Sequence, residues 1–199
     1  MQIINKTISG QKVVFESVIE EVPGGCGLNV ARLDYAKVDA SLGVDKRYIA
    51  AGTPVYYALT TRVAEICKSA TAIDGGAATA PRVQKEHHFK VGDFLNDGTT
   101  GAIISAIDTT VAAYDTLTVN TAVTYAAGTK FLEGTVTGTS AALKYTPNGL
   151  LKDNVFIGNG NADASIVTIG SVREAALTYP LPDLYKTALR GTMSLITIV

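Results

Sequence analysis

Glu86–Gly134 reads EHHFKVGDFLNDGTTGAIISAIDTTVAAYDTLTVNTAVTYAAGTKFLEG, and this stretch decides the fold. Phe89 and Val91 alternate with polar neighbours before Gly92-Asp93 turns the chain. Phe94-Leu95 leads into Asn96-Asp97-Gly98, a strong turn signal. Ala102 to Ile107 is apolar and rich in isoleucine. Leu117-Thr118-Val119 alternates again, and Gly128-Thr129 feeds Phe131-Leu132. Short strands punctuated this densely by Gly, Asp and Asn predict a small barrel or sandwich.

Outward from this stretch, the N-terminal side has no single pattern. Lys12 to Val22 is β-rich without clean alternation, and Pro23-Gly24-Gly25-Cys26-Gly27 breaks it. Two readings stand: an extended arm that adds a strand to a neighbour, or a first strand pair of the same domain. Leu28–Leu33 reads as a short strand, and Asp34–Lys46 as a loop. Ala50-Ala51-Gly52-Thr53 returns as Ala126-Ala127-Gly128-Thr129. Each tetrad predicts a glycine turn with positive φ that opens a strand, both in one barrel. Arg62–Lys68 favours a strand, and Ala70–Pro81 reads as an exposed, mobile loop of small residues.

On the C-terminal side, Thr135–Ala142 is an edge strand or a linker. Asn148-Gly149 is a turn, Asn154–Ile157 a short strand, and Ser165–Val172 a buried one. Pro182, Asp183 and Arg190 have the polarity of a helix ended by Gly191. Ser194–Val199 closes as a strand expected to be paired or covered. The expected organisation is mainly β: a small β-barrel or sandwich with an extended N-terminal arm and one short C-terminal helix. Its parts are an arm or first strands over 1–47, a barrel over 48–135, and a β segment over 136–199 with the helix near 182–190.

Composition narrows the function. Charged residues make up 18% of the 199 and the net charge is −1, so the basic face that nucleic acid requires is not expected. Mean hydropathy is +0.22, which leans toward an assembled state. No apolar run reaches membrane-spanning length, and the N-terminus carries no signal-peptide core. Cys26 and Cys67 read as reduced thiols, with a disulfide between them left open. Tryptophan is absent, so an aromatic sugar site would draw on Tyr56, Tyr57 or Tyr125.

Side chains with chemical potential find ordinary duties. His87-His88 on a strand would point to opposite faces and could not share an ion, with one imidazole exposed. Cys26 among glycines reads as a small apolar residue in a turn, not as a nucleophile. Asp153, Asn159, Asn161 and Asp163 miss the calcium-loop spacing. Asp93, Asp97, Asp108 and Asp115 all read as turn residues that bond nearby backbone, although carboxylates from separate loops can flank a sugar. No catalytic set, metal site or cofactor is expected.

The order of these phrases is similar to the auxiliary head proteins of tailed bacteriophages. Phe89–Phe94, Ile104–Asp108, Tyr114–Val119 and Ala127–Thr129 resemble their β-domain. Lys144–Leu150 and Val172–Asp183 resemble head fibre proteins of phages of gut bacteria, including the crAss-like group. The resemblance covers about Tyr48 to the C-terminus. It implies a non-enzymatic protein on the virion exterior, made in the host cytoplasm, that decorates or stabilises the head lattice or forms the base of a head fibre. The implied partners are the major capsid protein and further copies of the chain, with a trimer favoured. Contacts would fall on Val13, Val14 and Phe15 in the arm and on Tyr179, Leu181 and Leu184 near the C-terminus. A host surface glycan is the alternative partner; neither nucleic acid nor membrane is expected.

Overall fold

The computed structural model describes residues 13–33, 48–85, 87–139, 142–157, 162–179, 181–191 and 195–199. The chain is mainly β, 48% strand and 6% helical. In chain order the strands are β1 (Phe15–Glu21), β2 (Cys26–Leu28), β3 (Tyr48–Ile49), β4 (Pro54–Ala58), β5 (Val63–Ile66), β6 (Ser69–Ala77), β7 (Ala80–Val83), β8 (Phe94–Asn96) and β9 (Thr100–Asp108). They continue with β10 (Asp115–Val119), β11 (Lys130–Glu133), β12 (Gly138–Thr139), β13 (Gly149–Leu151), β14 (Val155–Phe156), β15 (Ala162–Ala164), β16 (Ile166–Val172) and β17 (Leu195–Ile198). The helix is α1 (Asp183–Leu189), preceded by a 3-10 turn at Glu174–Ala176.

Six strands close a barrel in the order β6-β7-β10-β9-β8-β11 and back to β6, every ladder antiparallel. Closure removes the open edges a sheet this small would otherwise present. The β12 strand adds to the outside of β9. Alternation fills the interior with Ala70, Ala72, Val83, Leu95, Ala102, Ile104, Leu117, Val119 and Phe131.

The second unit is a sheet ordered β1-β16-β13-β4-β5-β2-β15. β16 carries β1 along one side; β13 and the parallel β17 share successive parts of the other. Both faces are buried along β13 and most of β16. Leu151, Val55, Tyr57, Ala64 and Ile66 pack in one core, while Leu150, Val172 and Ile196 pack in another with the helix residues Tyr185 and Leu189. That second core also takes Leu132 from the outer face of the barrel, so α1 sits in the seam between the two units.

Several expectations change. The expected boundaries at 47/48 and 135/136 do not follow the sheets, because β1 and β2 join β4, β5 and β13, and the barrel begins only at Ser69. Of the two readings of the N-terminal stretch, Phe15–Glu21 takes the second: it is a strand of its own domain, antiparallel to β16. Ala70–Pro81 is no loop: it forms most of β6 and the start of β7, because alanine is the size that fits a narrow barrel interior. Residues 87–90 lie outside the ladders, and both histidines are buried. At Asn148-Gly149 the glycine starts β13, and the Asn148 side chain bonds both the N–H and the C=O of Tyr57.

The repeated tetrads form the same turn. Gly52 and Gly128 have φ of 79° and 88°, and the Thr53 and Thr129 amides donate to Ala50 and Ala126. That is the type II pattern, which needs a positive φ at its third residue. The two turns open strands in different units, β4 and β11.

Candidate functional site

Three strands bring ionisable side chains to one mouth of the barrel. Lys68 directly precedes β6 and shares the inward face of Ala70 and Ala72. Glu133 continues the inward face of Phe131, and Asp93 that of Leu95. Extending the β6–β11 register by one pair sets Lys68 opposite Glu133, and the Glu133 amide donates to the Lys68 carbonyl at 3.2 Å. All three are buried: Lys68 is 0%, Glu133 1% and Asp93 5% exposed.

The loop after β2 covers this mouth. Lys68 Nζ donates to Asp93 Oδ2 and to the Arg32 carbonyl, each at 2.5 Å. The Lys90 amide also donates to Asp93 Oδ2 at 2.8 Å, and Lys90 Nζ reaches the Ala31 carbonyl at 2.9 Å. Arg32 grips the Glu133 carboxylate with Nη2, and with Nη1 donates to Glu65 Oε2 at 2.9 Å. Lys144 donates to Glu133 Oε1 at 2.9 Å, and Asn29 to Glu65 Oε1 at 2.9 Å. The Arg32 guanidinium lies over the Tyr145 ring at 4.5 Å, and Tyr145 stacks on Tyr56. Arg32, Lys68 and Lys144 thus face Glu65, Asp93 and Glu133, a balanced cluster. Glu65 belongs to the sheet and Glu133 to the barrel, so Arg32 joins the two units.

The cluster shifts its members. Burial pushes the Lys68 ammonium pKa down against the opposing pull of Glu133 and Asp93. Burial also works against charged Arg32, but its bonds to Glu133 and Glu65 outweigh that and hold the guanidinium firmly ionised.

A second buried group lies along the barrel. Asp115, at the start of β10, accepts from Lys85 Nζ at 2.7 Å and meets His87 Nε2 at 3.2 Å. His87 Nδ1 accepts the Phe89 amide at 3.2 Å. The nitrogen that a catalytic imidazole would offer to a nucleophile is therefore spent on backbone, and the pair holds the stretch leading to β8.

A cleft of about 350 Å³ lies on the outside of the barrel, between Thr71, Gln84 and Lys130 and the Glu174–Lys186 segment. Lys130 donates to Thr71 Oγ1, and its pKa is lowered by burial and by Lys186. Lys186 itself pairs with Glu174.

The residues expected to make contacts scatter. Val13 and Leu184 are exposed, whereas Val14 and Leu181 are core residues and Phe15 packs against that core. Val14 and Leu181 are thus withdrawn from any surface role. Tyr179 places its ring 4.4 Å from His88, fastening the C-terminal segment to the barrel. Tyr57 is buried, and the Tyr125 hydroxyl accepts the Gly76 amide, which leaves Tyr56 as the exposed ring of those three. Cys26 and Cys67 are buried free thiols in different cores, with pKa values raised chiefly by burial. Asp97 and Asp108 serve turns, as their positions imply. Asp93 adds the Lys68 pair to its turn, and Asp115 departs from turn duty altogether. Asn159 and Asn161 lie outside the described residues. Among the described residues no group of His, Cys, Asp or Glu could hold a metal ion, and no helix is long and apolar enough to cross a membrane.

The mouth cluster was missed in the sequence. Its signal was a lysine in phase with an alternating alanine face, which marks a charge turned inward. Compared with protein-family models, curated proteins and solved structures, the chain matches none.

Proposed function

We propose that the chain is a structural protein of the virion, an oligomer that decorates or stabilises the outside of a phage head by contact with the major capsid protein. The observation that carries this reading is β1. It ends its sheet, so one edge of its backbone is open among the described strands, and Ile19 on it is 74% exposed. Val13 and Val18 add to the same exposed apolar run. An open edge of this kind accepts a further strand, with backbone bonds for affinity and side chains for register. Glu16 and Glu21 already pair with Arg173 and Lys152, which leaves Glu20 beside the apolar residues to meet a basic side chain on the added strand. Symmetric copies would turn such modest contacts into high avidity. The similarity of the Tyr48-to-C-terminus phrases to auxiliary head proteins supports the same reading.

Removing residues 1–22 would be a poor test, since it strips a strand from β16 and takes Val14 and Val22 from the cores. Ile19→Lys is the better variant. Heads stripped of auxiliary proteins are expected to carry the wild-type chain down on sedimentation, and to leave the folded variant in the supernatant. Light scattering is expected to give a trimer. Failure of the wild type to bind, or equal binding by the variant, overturns the reading.

The cleft beside Lys130 favours a second reading, a surface carbohydrate-binding module. Its volume and its hydroxyl, amide and ammonium donors suit a hydroxylated ligand. Specific glycan-array binding without head binding would select it.

A further inference from the structure

We propose that Lys68 and Asp93 condense spontaneously into an intramolecular isopeptide bond, with Glu133 carrying the proton. Lys68 Nζ lies 2.5 Å from Asp93 Oδ2. A carbon–oxygen bond of about 1.2 Å then puts Asp93 Cγ within about 3.7 Å of the nitrogen, close to near-attack range. Both groups stand on the frame of a closed barrel, so the approach is held rather than sampled. Water is kept out, which favours condensation over hydrolysis.

The dry site also disfavours the ion pair itself. Two desolvated charges carry a penalty that their attraction does not fully offset. Passing one proton from Nζ, by way of Glu133, to Asp93 Oδ1 leaves an amine and a carboxylic acid, both neutral. Burial depresses the Lys68 pKa in the direction that favours this form.

The step balances without an outside reactant. The amine lone pair attacks Cγ, and negative charge gathers on Oδ2. The Lys90 amide already donates to that oxygen at 2.8 Å, as an oxyanion donor should. Nζ gives up a second proton, the Cγ–Oδ1 bond breaks, and Oδ1 leaves as water with both protons. Glu133 stands cross-strand from Lys68 on the same face, where neighbouring Cβ atoms lie about 5 Å apart. Arg32 and Lys144 hold its carboxylate in place there, where it takes the proton from nitrogen and returns it to the departing hydroxyl. The product is a neutral amide that closes a loop between positions 25 residues apart.

Intact mass of the denatured full-length chain tests this directly. The expected mass is one water below that of the sequence, and proteolysis is expected to yield a branched peptide joining Lys68 to Asp93. Lys68→Met and Asp93→Ala should return to full mass. Glu133→Gln should slow the loss of water at unchanged circular dichroism, and Glu133→Asp should recover part of the rate. Aspartyl-glycine sequences at Asp74-Gly75 and Asp97-Gly98 can lose water as succinimides, which mild base reopens, whereas an isopeptide resists it. Full mass in both fresh and aged wild-type protein overturns the proposal. So does a water loss that maps to either aspartyl-glycine pair. Should a variant fail to fold, the wild-type digest still decides.

Discussion

Asp97 shows how much one turn carboxylate can organise. Its Oδ1 accepts the Thr99 and Thr100 amides and the Thr99 hydroxyl, closing the β8–β9 hairpin, and its Oδ2 accepts the Thr124 amide from the segment between β10 and β11. Burial alone would raise its pKa, but the amides of Thr100, Thr124 and Thr99 outweigh burial and lower it from 3.8 to about 2. The folded value lies below the unfolded one, so the carboxylate's stabilisation is complete above pH 3.8 and fades as pH falls toward about 2. Acid titration of Asp97→Asn should lack that part of the wild-type loss between those two values. At neutral pH, Asp97→Ala should lower stability by about 2 kcal/mol in denaturant unfolding, because several amides lose their acceptor.

At the scale of elements, β16 holds three partners, β1, β13 and β17. Gly170 lies where β1 crosses it, and a Cβ there would sit 2.5 Å from the Ser17 carbonyl oxygen. Neither backbone can yield without breaking ladder bonds. Gly170→Ala should therefore push β1 away and cost roughly 2 kcal/mol or more, with faster amide exchange over Phe15–Glu21 and little change in the barrel. Exchange that stays uniform would show the bulged β1 register to be more tolerant than the packing implies. Legibility also varied by element. The turns of the barrel stretch and the helix signalled by Pro182, Asp183 and Arg190 were readable because each rests on local chemistry. β6 was not, because Ala and Gly carry little strand propensity and only the closed barrel around them makes small residues right. The β1–β16 partnership joins residues about 150 apart, and nothing local in Phe15–Glu21 announces it.

For the whole molecule, the barrel and the sheet keep separate cores joined by α1 and by the Arg32 cluster. Arg32→Ala would leave Glu65 and Glu133 without their shared cation, a loss of about 3 kcal/mol for a pair this buried. Calorimetry of wild-type protein should show one transition, and of the variant two, with the sheet melting before the closed barrel. A single transition in the variant would mean that the helix-lined seam alone suffices. The mouth cluster exists only at this scale. Arg32, Glu65, Lys68, Asp93, Glu133 and Lys144 are spread over the chain, and no spacing between them carries a motif; only barrel closure makes them neighbours.

The strands on either side of β16 have a mechanical meaning. Val172 has Phe15 opposite it on one flank and Ile198 on the other, so the start of β1 and the end of β17 stand at the same end of the sheet, about 10 Å apart. Tension applied at those two strand ends would load the backbone bonds one at a time, like opening a zip. The barrel lies off that line and would stay unstrained. Pulled this way, the sheet would open gradually, under low force, while the barrel keeps its shape.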